Sequence, residues 1–399
     1  MIVGGGAAGL FAAIACAEAN SAARVTVLEA GSSVLAKVRI SGGGRCNVTH
    51  DQPDTAQFIR HYPRGGRELR GPFSRFGQRD TVAWFEERGV RLKAEPDGRM
   101  FPTTDDSETI IACLVRAAQA AGVRVRTRTP VVRVEPDERG YSVVTKAGDA
   151  LSADRVLLAT GGSPAGYRLA AALGHTIEPP VPSLFTFVVD DPRLRGLAGV
   201  SVPSAQVRLD GAKESHEGPL LVTHWGLSGP AVLRASAWGA RLLHDSGYRL
   251  GFTVDWRPDL SPDQVSETLL GSKHDDARRS IVGAGPFGLP QRLWRSLAEA
   301  AGAGESTRWA DAPKALLAAL AREITAGRYE VTGKGVFKEE FVTCGGVRLS
   351  EVDFGAMHSK LRQGLHLAGE VLDIDGVTGG FNFQAAWTTG RLAGVGMAS

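Results

Sequence analysis

The sequence predicts an α/β protein in which both ends of the chain build one nucleotide-binding domain and the middle third is an insertion. Three observations support this. A glycine-rich turn joins a short apolar strand to an alanine-rich helix at the N-terminus, and the β/α pattern is replaced by short alternating strands and then helices from about residue 183 to 335. A strand, a glycine pair and a helix return near the C-terminus. At 399 residues the chain also exceeds the size of a single core.

The first element is a G-x-G-x-x-G turn formed by Gly4, Gly6 and Gly9. The first glycine permits a tight turn, the second lets the backbone approach a pyrophosphate, and the third lets helix pack on strand. The helix from Ala7 to about Ala19 begins with Ala7 and Ala8, so their N–H groups and the positive end of the helix dipole favour an anion. The structural alternative is a glycine turn that packs helix on sheet without a ligand.

An acidic residue follows at the spacing that a dinucleotide site requires. Glu29 ends the strand from Val25 to Leu28, twenty residues after Gly9, and its carboxylate can accept hydrogen bonds from ribose hydroxyls. Ala30, the next residue, belongs to the same predicted site. Three residues precede the glycines, fewer than in a typical strand, so we expect an apolar N-terminal extension to raise cofactor retention.

The next part of the chain predicts a parallel sheet with a small antiparallel hairpin set beside it. Residues 31–47 are predicted as a loop, and the stretch from there to about Gly77 shows little periodicity. The predicted helices are Thr81 to Gly89 and Ser107 to Ala121, and the predicted strands are Val123 to Arg128, Val131 to Val134, Tyr141 to Lys146 and Arg155 to Ala159.

The inserted segment predicts a β-barrel followed by a helical domain. Short strands separated by Pro, Gly and Asp suit a small barrel, and they are Thr186 to Val189, Ala205 to Leu209, Leu220 to Thr223 and Arg249 to Val254. Residues 261–326 have a helical pattern, with a helix start at Ser261-Pro262 and another near Pro313. The predicted domains are residues 1–182 and 336–399 for the nucleotide-binding domain, 183–258 for the barrel and 259–335 for the helices.

A second glycine-rich loop carries several candidate ligand-binding residues. Consecutive glycines let N–H groups converge into an anion-binding nest, and an arginine adds a permanent positive charge. The candidates are Lys37, Ser41, Gly42, Gly43, Gly44, Arg45, Cys46 and Asn47. The alternatives are a flexible surface hairpin and, for Cys46, a reactive thiolate beside the arginine. We interpret Cys46 as a packing residue near the cofactor.

The two ends of the chain together favour FAD over NAD. A dehydrogenase that binds NAD alone has no reason to close its sheet with the C-terminus, whereas FAD is long enough to need both ends. A helix N-terminus at the flavin pyrimidine edge would stabilise the negative charge of the reduced ring; the alternative is an ordinary glycine–asparagine helix cap. The further cofactor candidates are Val132, Ala159, Thr160, Gly161, Gly369, Glu370, Gly379, Gly380, Phe381 and Asn382.

These motifs together resemble a known family. The segments GGGAAG, KVRISGGGRCNVTH, GRMFPTTDDS, LLVTHWGLSGP and GLHLAGEVLDIDGVTGGFNFQAAWTTGRLAG resemble the BaiN-like NAD(P)/FAD-dependent oxidoreductases along the whole chain. The resemblance implies a discontinuous, glutathione-reductase-like Rossmann FAD domain interrupted by a β-barrel and a helical insert. Compared with that family, the loop from Gly162 to Tyr167 is shorter, Cys344 stands where a small residue is commoner, and His50 replaces a usual asparagine.

Composition indicates a cytoplasmic protein without nucleic-acid, membrane or metal partners. The formal net charge is +3, and the arginines lie scattered among acidic residues, which argues against nucleic-acid binding. We find no leader and no apolar run of the roughly 20 residues that a membrane helix needs. The four cysteines are far apart, as suits a reducing compartment, and form no zinc motif. The oligomeric state stays open.

The predicted activity is transfer of hydride from NAD(P)H, at flavin N5, to a small organic substrate. No second G-x-G-x-x-G motif is present, so the nicotinamide donor is expected to visit the flavin transiently. His224, in a glycine- and proline-bounded loop from Thr223 to Pro230, is the candidate proton donor, with a structural histidine or an inter-domain hydrogen bond as the alternative. His175 is interpreted as structural. Two other hypotheses are an oxidase that uses O₂ with an amine-type donor and a non-catalytic, FAD-stabilised protein.

Overall fold

The protein forms two compact units in a computed structural model that describes residues 1–335 and 342–399. The first unit contains Met1–Val181 and Val342–Ser399, and the second begins at Pro182 and has its last described residue at Gly335. The first six residues of the predicted segment 336–399 lie outside the described residues. The predicted division into four segments stays a prediction.

The α-helices of the described residues run from one end of the chain to the other. They are α1 (Ala7–Ala19), α2 (Ala36–Gly44), α3 (Thr55–Phe58), α4 (Gly66–Arg75), α5 (Gln78–Glu86), α6 (Ser107–Ala120), α7 (Pro164–Ala172), α8 (Pro230–Trp238), α9 (Ala240–Asp245), α10 (Pro262–Asp275), α11 (Gln291–Ala300), α12 (Lys314–Ala326) and α13 (Phe381–Ala398). Short 3₁₀ turns span Ile59–His61, Pro192–Leu194, Leu349–Glu351 and Gly369–Val371.

The strands are mostly short. They are β1 (Ile2–Val3), β2 (Thr26–Leu28), β3 (Thr49–His50), β4 (Leu92–Ala94), β5 (Arg99–Pro102), β6 (Arg124–Arg126), β7 (Val131–Asp137), β8 (Gly140–Thr145), β9 (Ala150–Ala153), β10 (Val156–Leu158), β11 (Ile177–Ser183), β12 (Phe187–Val188), β13 (Ser201–Leu209), β14 (His216–Thr223), β15 (Gly226–Ser228), β16 (Leu250–Asp255), β17 (Gly327–Val331), β18 (Gly333–Lys334), β19 (Val342–Val347), β20 (Val352–Asp353), β21 (His358–Ser359) and β22 (Leu365–Leu367).

The central sheet of the first unit joins the two ends of the chain. Its strand order is β20-β21-β22-β10-β1-β2-β6, and the five strands from β22 to β6 are parallel. Ile2 lies between Leu157 on one side and Val27 on the other, and Leu157 in turn pairs with His366 of β22. The prediction of an α/β domain built from both ends is therefore confirmed, as is the antiparallel set β7-β8-β9 beside it.

Helices from the two chain ends also pack against each other through small residues. A Cβ at Gly390 of α13 would lie 2.5 Å from the carbonyl oxygen of Ala8, and a Cβ at Gly394 would lie 2.3 Å from that of Ala12. Side chains at both positions would separate the helices, so glycines four residues apart allow the backbones of α1 and α13 to touch. This contact holds the C-terminal helix behind the N-terminal glycine turn.

The region between residues 31 and 90 departs from the sequence prediction. The predicted loop 31–47 contains α2, although Ser41, Gly42 and Gly43 leave helical geometry. The stretch predicted without periodic structure contains α3 and α4, whose apolar residues are buried by contacts with distant parts of the chain. Helix α5 begins at Gln78, three residues before the predicted start. Tertiary packing overrides weak local propensity here.

The second unit contains a curled sheet backed by helices. Its strand order is β17-β16-β13-β14-β15-β12-β18. The two edge strands, β17 and β18, are consecutive in the chain and separated by Thr332 alone, so the two edges of the sheet lie close together as in a barrel. One hydrophobic core, which includes Trp256, Trp294 and Trp309, is shared by this sheet and helices α10 to α12. Helices α8 and α9 were not predicted.

No helix of the described ranges is both long and apolar enough to cross a membrane. Residues 1–335 and 342–399 also contain no group of three or more His, Cys, Asp or Glu side chains placed to hold a metal ion. All four cysteines are buried.

Candidate functional site

The N-terminal glycine turn has the geometry that its spacing predicts. Gly4 has φ +108°, and a Cβ there would lie 2.3 Å from the carbonyl oxygen of Ala159. A Cβ at Gly9 would lie 2.0 Å from the carbonyl oxygen of Gly4, whereas a Cβ at Gly6 would meet nothing within 4 Å. Gly4 and Gly9 therefore serve close packing, and Gly6 leaves an open approach to the start of α1.

Glu29 is held in place by backbone donors on both sides. Its carboxylate accepts hydrogen bonds from the N–H groups of Gly5 at 2.7 Å and Gly31 at 2.6 Å. Thr129 donates to the carbonyl oxygen of Glu29, which brings the start of β7 close to it. Val132 lies three residues further on, exposed at a bulge of β7, and Ala30 is exposed as well. The oxygens of Glu29 keep lone pairs for further donors such as ribose hydroxyls.

The second glycine loop presents backbone N–H groups rather than side chains. Gly42, Gly43 and Gly44 have φ values of 57°, 68° and 83°, a left-handed run that glycine adopts without strain. A Cβ at Gly43 or Gly44 would meet nothing within 4 Å, so the backbone at these positions is open to a ligand. The hydroxyl of Ser41 donates to the carbonyl of Val38 and fixes the start of the turn.

Arg45 and Cys46 do not have the electrostatic roles considered from the sequence. The Arg45 guanidinium donates to Glu95 at 2.6 Å and stacks 4.0 Å above the Phe101 ring, so acidic partners already offset its charge. Cys46 is fully buried, and burial raises the pKa of its thiol to about 12. Burial therefore favours the protonated thiol at neutral pH, which disfavours a reactive thiolate and agrees with a packing residue.

The loop before α13 is braced by residues from the first hundred of the chain. In the orientation that satisfies its neighbours, the Asn47 side-chain oxygen accepts from the Gly380 N–H at 2.9 Å. Asn382 bonds both backbone groups of Gly376 at 2.8 Å and closes the loop on itself. A Cβ at Gly380 would lie 2.4 Å from the carbonyl oxygen of Thr49, so glycine is required there. The structure thus brings the second loop and the C-terminal loop together.

Phe381 lies at the centre of an aromatic group that the sequence did not predict. Its ring stacks against those of His50, at a centroid distance of 4.7 Å, and His61, at 4.3 Å, and the two histidine rings lie 6.0 Å from each other. Its carbonyl oxygen accepts from the buried Tyr62 hydroxyl at 2.6 Å. Asp375, which precedes the first glycine of the loop before α13, is fully buried and paired with Arg64. These contacts define the position of the start of α13.

A third set of residues meets where β10 and β22 end. Lys37 forms an ion pair with Glu370 at 2.6 Å, and a Cβ at Gly161 would lie 3.7 Å from the Glu370 carboxylate. Two hydroxyls nearby, those of Thr160 and Tyr167, are buried without a hydrogen-bond partner among the described residues. Burial, reinforced by the negative charge of Glu370, raises the pKa of Tyr167. Orphaned buried hydroxyls are rare and indicate a ligand or water at this point.

Two helices from opposite ends of the chain point uncapped N-termini out of glycine-rich turns. The N-cap residues, Gly6 for α1 and Gly380 for α13, provide no side-chain hydrogen bond to the first turn. Free N–H groups and the helix dipole at such ends attract phosphates and negatively charged rings. An open backbone at Gly6, a fixed Glu29 and a second uncapped helix end fit a long dinucleotide that carries a charged ring.

The candidate proton donor His224 lies in the second unit. It is exposed at the tip of the hairpin between β14 and β15, beside Trp225. Its role as a proton donor stays a prediction. His175 is buried and hydrogen-bonded to Glu351 and Ser359, as a structural histidine would be.

The chain is similar to known proteins along nearly its whole length. It is 29% identical to the 3-dehydro-bile acid delta(4,6)-reductase of Clostridium scindens, covering 98% of this chain and 97% of that protein. It is also 29% identical to the ribosomal RNA dihydrouridine synthase of Escherichia coli, covering 98% and 95%. The fold resembles that of the 3-ketosteroid-delta4-(5alpha)-dehydrogenase of Rhodococcus jostii, with a TM-score of 0.53, 19% identity and coverage of 100% and 96%.

The family model described as the HI0933-like protein Rossmann domain matches residues 1–396. This match includes the glycine turn, the second loop, the whole insertion and the C-terminal loop, and the proteins of this family are flavoprotein oxidoreductases. The chain belongs to the HI0933-like Rossmann-domain family and is an FAD-dependent oxidoreductase.

Proposed function

We propose that this enzyme adds the hydride of NAD(P)H and a proton across a carbon–carbon double bond that is conjugated to a carbonyl group in an organic acceptor. The observation that carries the proposal is the pair of uncapped helix N-termini behind Gly4–Gly9 and Gly379–Gly380, one from each end of the chain. Such a pair suits both the phosphates and the ring of one FAD molecule.

The choice of a conjugated double bond rests on the relatives. One full-length relative is named for reduction of a bile acid at a delta(4,6) system, and another for synthesis of dihydrouridine, in which the uracil double bond beside a carbonyl is saturated. The two acceptors differ in size and class but share this reaction. The sequence predicts a small molecule as the acceptor, and NAD(P)H as a donor that visits the site transiently.

Residues of the first unit would hold the cofactor and set its charge environment. When bound, FAD supplies the hydride transfer between donor and acceptor. The N–H groups at the start of α1 would bind its phosphates, and Glu29 its ribose. Lys37 and Glu370 would border the middle of the cofactor. The N-terminus of α13, fixed by Asn47 and Asn382, would face the part of the ring that gains negative charge on reduction.

The proton that accompanies the hydride requires a donor, and we assign this role to His224. Histidine is a common proton donor in enzymes that work at neutral pH, and general acid catalysis is typically worth about 10² to 10⁴ in rate. His224→Gln should therefore lower turnover about 100-fold or more. FAD content and the rate of reduction by NADPH should be unchanged. Full turnover by the variant would remove His224 from the mechanism.

The proposal is tested by mixing the purified holoenzyme with NADH or NADPH under nitrogen and following the visible flavin absorbance. Bleaching by either nucleotide, followed by recovery of colour on addition of an α,β-unsaturated ketone, is the expected result. Colour that persists with both nucleotides but bleaches with an amine would favour an oxidase. Bound flavin that is bleached and never reoxidised by any acceptor would favour a non-catalytic role.

A further inference from the structure

Trp225 is an exposed aromatic side chain at the tip of the hairpin between β14 and β15. All seven tryptophans of the chain lie in the described residues. Five of them are buried and Trp238 is half-buried, whereas Trp225 is 45% exposed. Its indole lies outside the hydrophobic core that the sheet and helices of the second unit share. Packing of the core therefore does not account for this large, flat side chain.

The tip is built without the residues that a tight hairpin favours. His224 and Trp225 are the two residues between β14 and β15. Two-residue hairpin loops favour a positive φ at one or both positions, and they therefore favour sequences such as Asn-Gly or Asp-Gly. Neither His224 nor Trp225 has a positive φ. The positions that would best close the hairpin instead carry two large rings, and departures of this kind from local rules are expected at functional sites.

Contacts with the neighbouring strand fix the backbone that carries the two rings. The Val189 N–H donates to the Trp225 carbonyl oxygen at 2.9 Å. The Thr223 hydroxyl donates to the Gly226 carbonyl oxygen at 3.1 Å. A Cβ at Gly226 would lie 2.2 Å from the carbonyl oxygen of Phe187, so only glycine lets the strands approach this closely. A side chain on a fixed backbone loses less conformational freedom when it binds a ligand.

The two rings of the tip are neighbours and both are exposed. The centroids of the His224 and Trp225 rings lie 6.2 Å apart, and their planes are inclined by 49°. Aromatic rings in contact have centroids about 4.5 to 7 Å apart, so this pair is in contact. A flat molecule stacked on the indole would lie next to the imidazole, which is the group that we assign as proton donor.

We propose that Trp225 is a specificity-determining residue that stacks on the flat conjugated ring of the acceptor and favours it over the saturated product. This role rests on the proposed function, because the reaction changes the shape of the ring. In the acceptor the two carbons of the double bond and the carbonyl carbon are trigonal and lie in one plane. The hydride and the proton make both double-bond carbons tetrahedral, and the ring puckers. A puckered ring has less flat surface to stack on the indole, so the product binds less tightly and leaves.

The role of Trp225 is tested with 2-cyclohexen-1-one and its saturated product, cyclohexanone, as probes. Binding of each to the oxidised holoenzyme is measured without NADPH by ligand-observed NMR, which detects weak complexes and needs no turnover. The wild type should bind the unsaturated ketone more tightly. Trp225→Ala should weaken that binding roughly tenfold, which is the effect of about one aromatic stacking contact, and should reduce the preference over cyclohexanone.

Two further variants distinguish stacking from a general loss of apolar surface. Trp225→Phe keeps a flat ring and should bind 2-cyclohexen-1-one within about threefold of the wild type. Leu270→Ala is the matched control, because Leu270 is a large apolar residue of the same unit that is also 45% exposed, and it should change neither dissociation constant. In turnover, Trp225→Ala should raise KM roughly tenfold and leave kcat within about threefold, since stacking contributes to binding of the acceptor.

Three results would overturn this role of Trp225. These are a wild type that binds neither probe or binds both equally, equal effects of Trp225→Ala and Leu270→Ala, and a Trp225→Phe variant that loses as much affinity as Trp225→Ala. FAD content and the rate of reduction by NADPH should match the wild type in all three variants. A wild type that prefers 2-cyclohexen-1-one through Trp225 but is not reduced by NADH or NADPH would contradict the proposed function alone.

Discussion

The N-terminal glycine turn and the loop before α13 each lead into a helix N-terminus, but different kinds of contact hold them in place. Both are glycine-rich and both end at an uncapped helix N-terminus. In the first, Gly4 and Gly9 pack on each other, and Glu29 bonds a residue 24 positions away. In the second, the partners Arg64 and Asp375 are 311 positions apart. A site held by near neighbours can be recognised by spacing, whereas one held by distant partners cannot.

The largest test of this comparison is removal of the long-range ion pair. Arg64→Ala would remove the guanidinium that pairs with the fully buried Asp375 carboxylate, and removal of one partner of a buried ion pair costs about 3 to 5 kcal/mol. The free energy of unfolding of the apoprotein, measured by urea denaturation, should fall by that amount. Arg67→Ala is the matched control, because Arg67 is exposed and forms no ion pair with the described residues, and its effect should stay within about 0.5 kcal/mol. Equal effects would show that the loop does not depend on Arg64.

A smaller effect is expected from the glycine turn, where two similar substitutions should separate folding from binding. Gly9→Ala puts a Cβ 2.0 Å from the Gly4 carbonyl oxygen and should cost about 1 to 3 kcal/mol of apoprotein stability. Gly6→Ala meets no atom within 4 Å and should cost less than about 1 kcal/mol. Its methyl group would nevertheless block the approach of the phosphates, so FAD affinity should fall at least about tenfold.

These two variants need both an unfolding curve and an FAD titration. A Gly6→Ala protein that binds FAD as the wild type does would contradict the assignment of Gly6 to the phosphate approach. A Gly9→Ala protein with unchanged stability would show that helix α1 can move away from the turn at little cost.

The same contrast explains how much could be predicted from the sequence. The spacing of Gly4, Gly6 and Gly9, with Glu29 after the next strand, fixed the first region because each residue has a local steric or hydrogen-bonding role. The C-terminal loop was located by its own glycines and by resemblance to a family. Its partners Arg64 and Tyr62 were missed, since they lie in a stretch whose only regular signal is the burial of Leu69 and Phe73 on one face of α4.

Local patterns also mislead when a side chain that could bind a ligand is instead paired with another residue of the protein. Arg45 follows three glycines, and the sequence alone predicts that its positive charge helps this loop to bind an anion. In the structure the Arg45 guanidinium is hydrogen-bonded to Glu95 and stacked on Phe101. Both partners come from a β-hairpin that the sequence did not predict. Spacing therefore identified the backbone part of the second loop, Gly42 to Gly44, and could not identify the environment of the side chain next to it.

The smallest change in stability is predicted for substitutions of two buried tyrosines of the first unit. Tyr62 donates to the Phe381 carbonyl oxygen across 319 positions, and Tyr62→Phe leaves that buried oxygen without this donor, at a cost of about 1 to 2 kcal/mol in apoprotein stability. The Tyr167 hydroxyl is buried without a partner among the described residues, so Tyr167→Phe should be neutral or slightly stabilising. Both variants lose one oxygen atom and leave the ring in place, and urea denaturation compares them directly. If Tyr167→Phe were the more damaging change, an ordered water would have to satisfy its hydroxyl in the apoprotein, and the long-range bond of Tyr62 would contribute less than its geometry indicates.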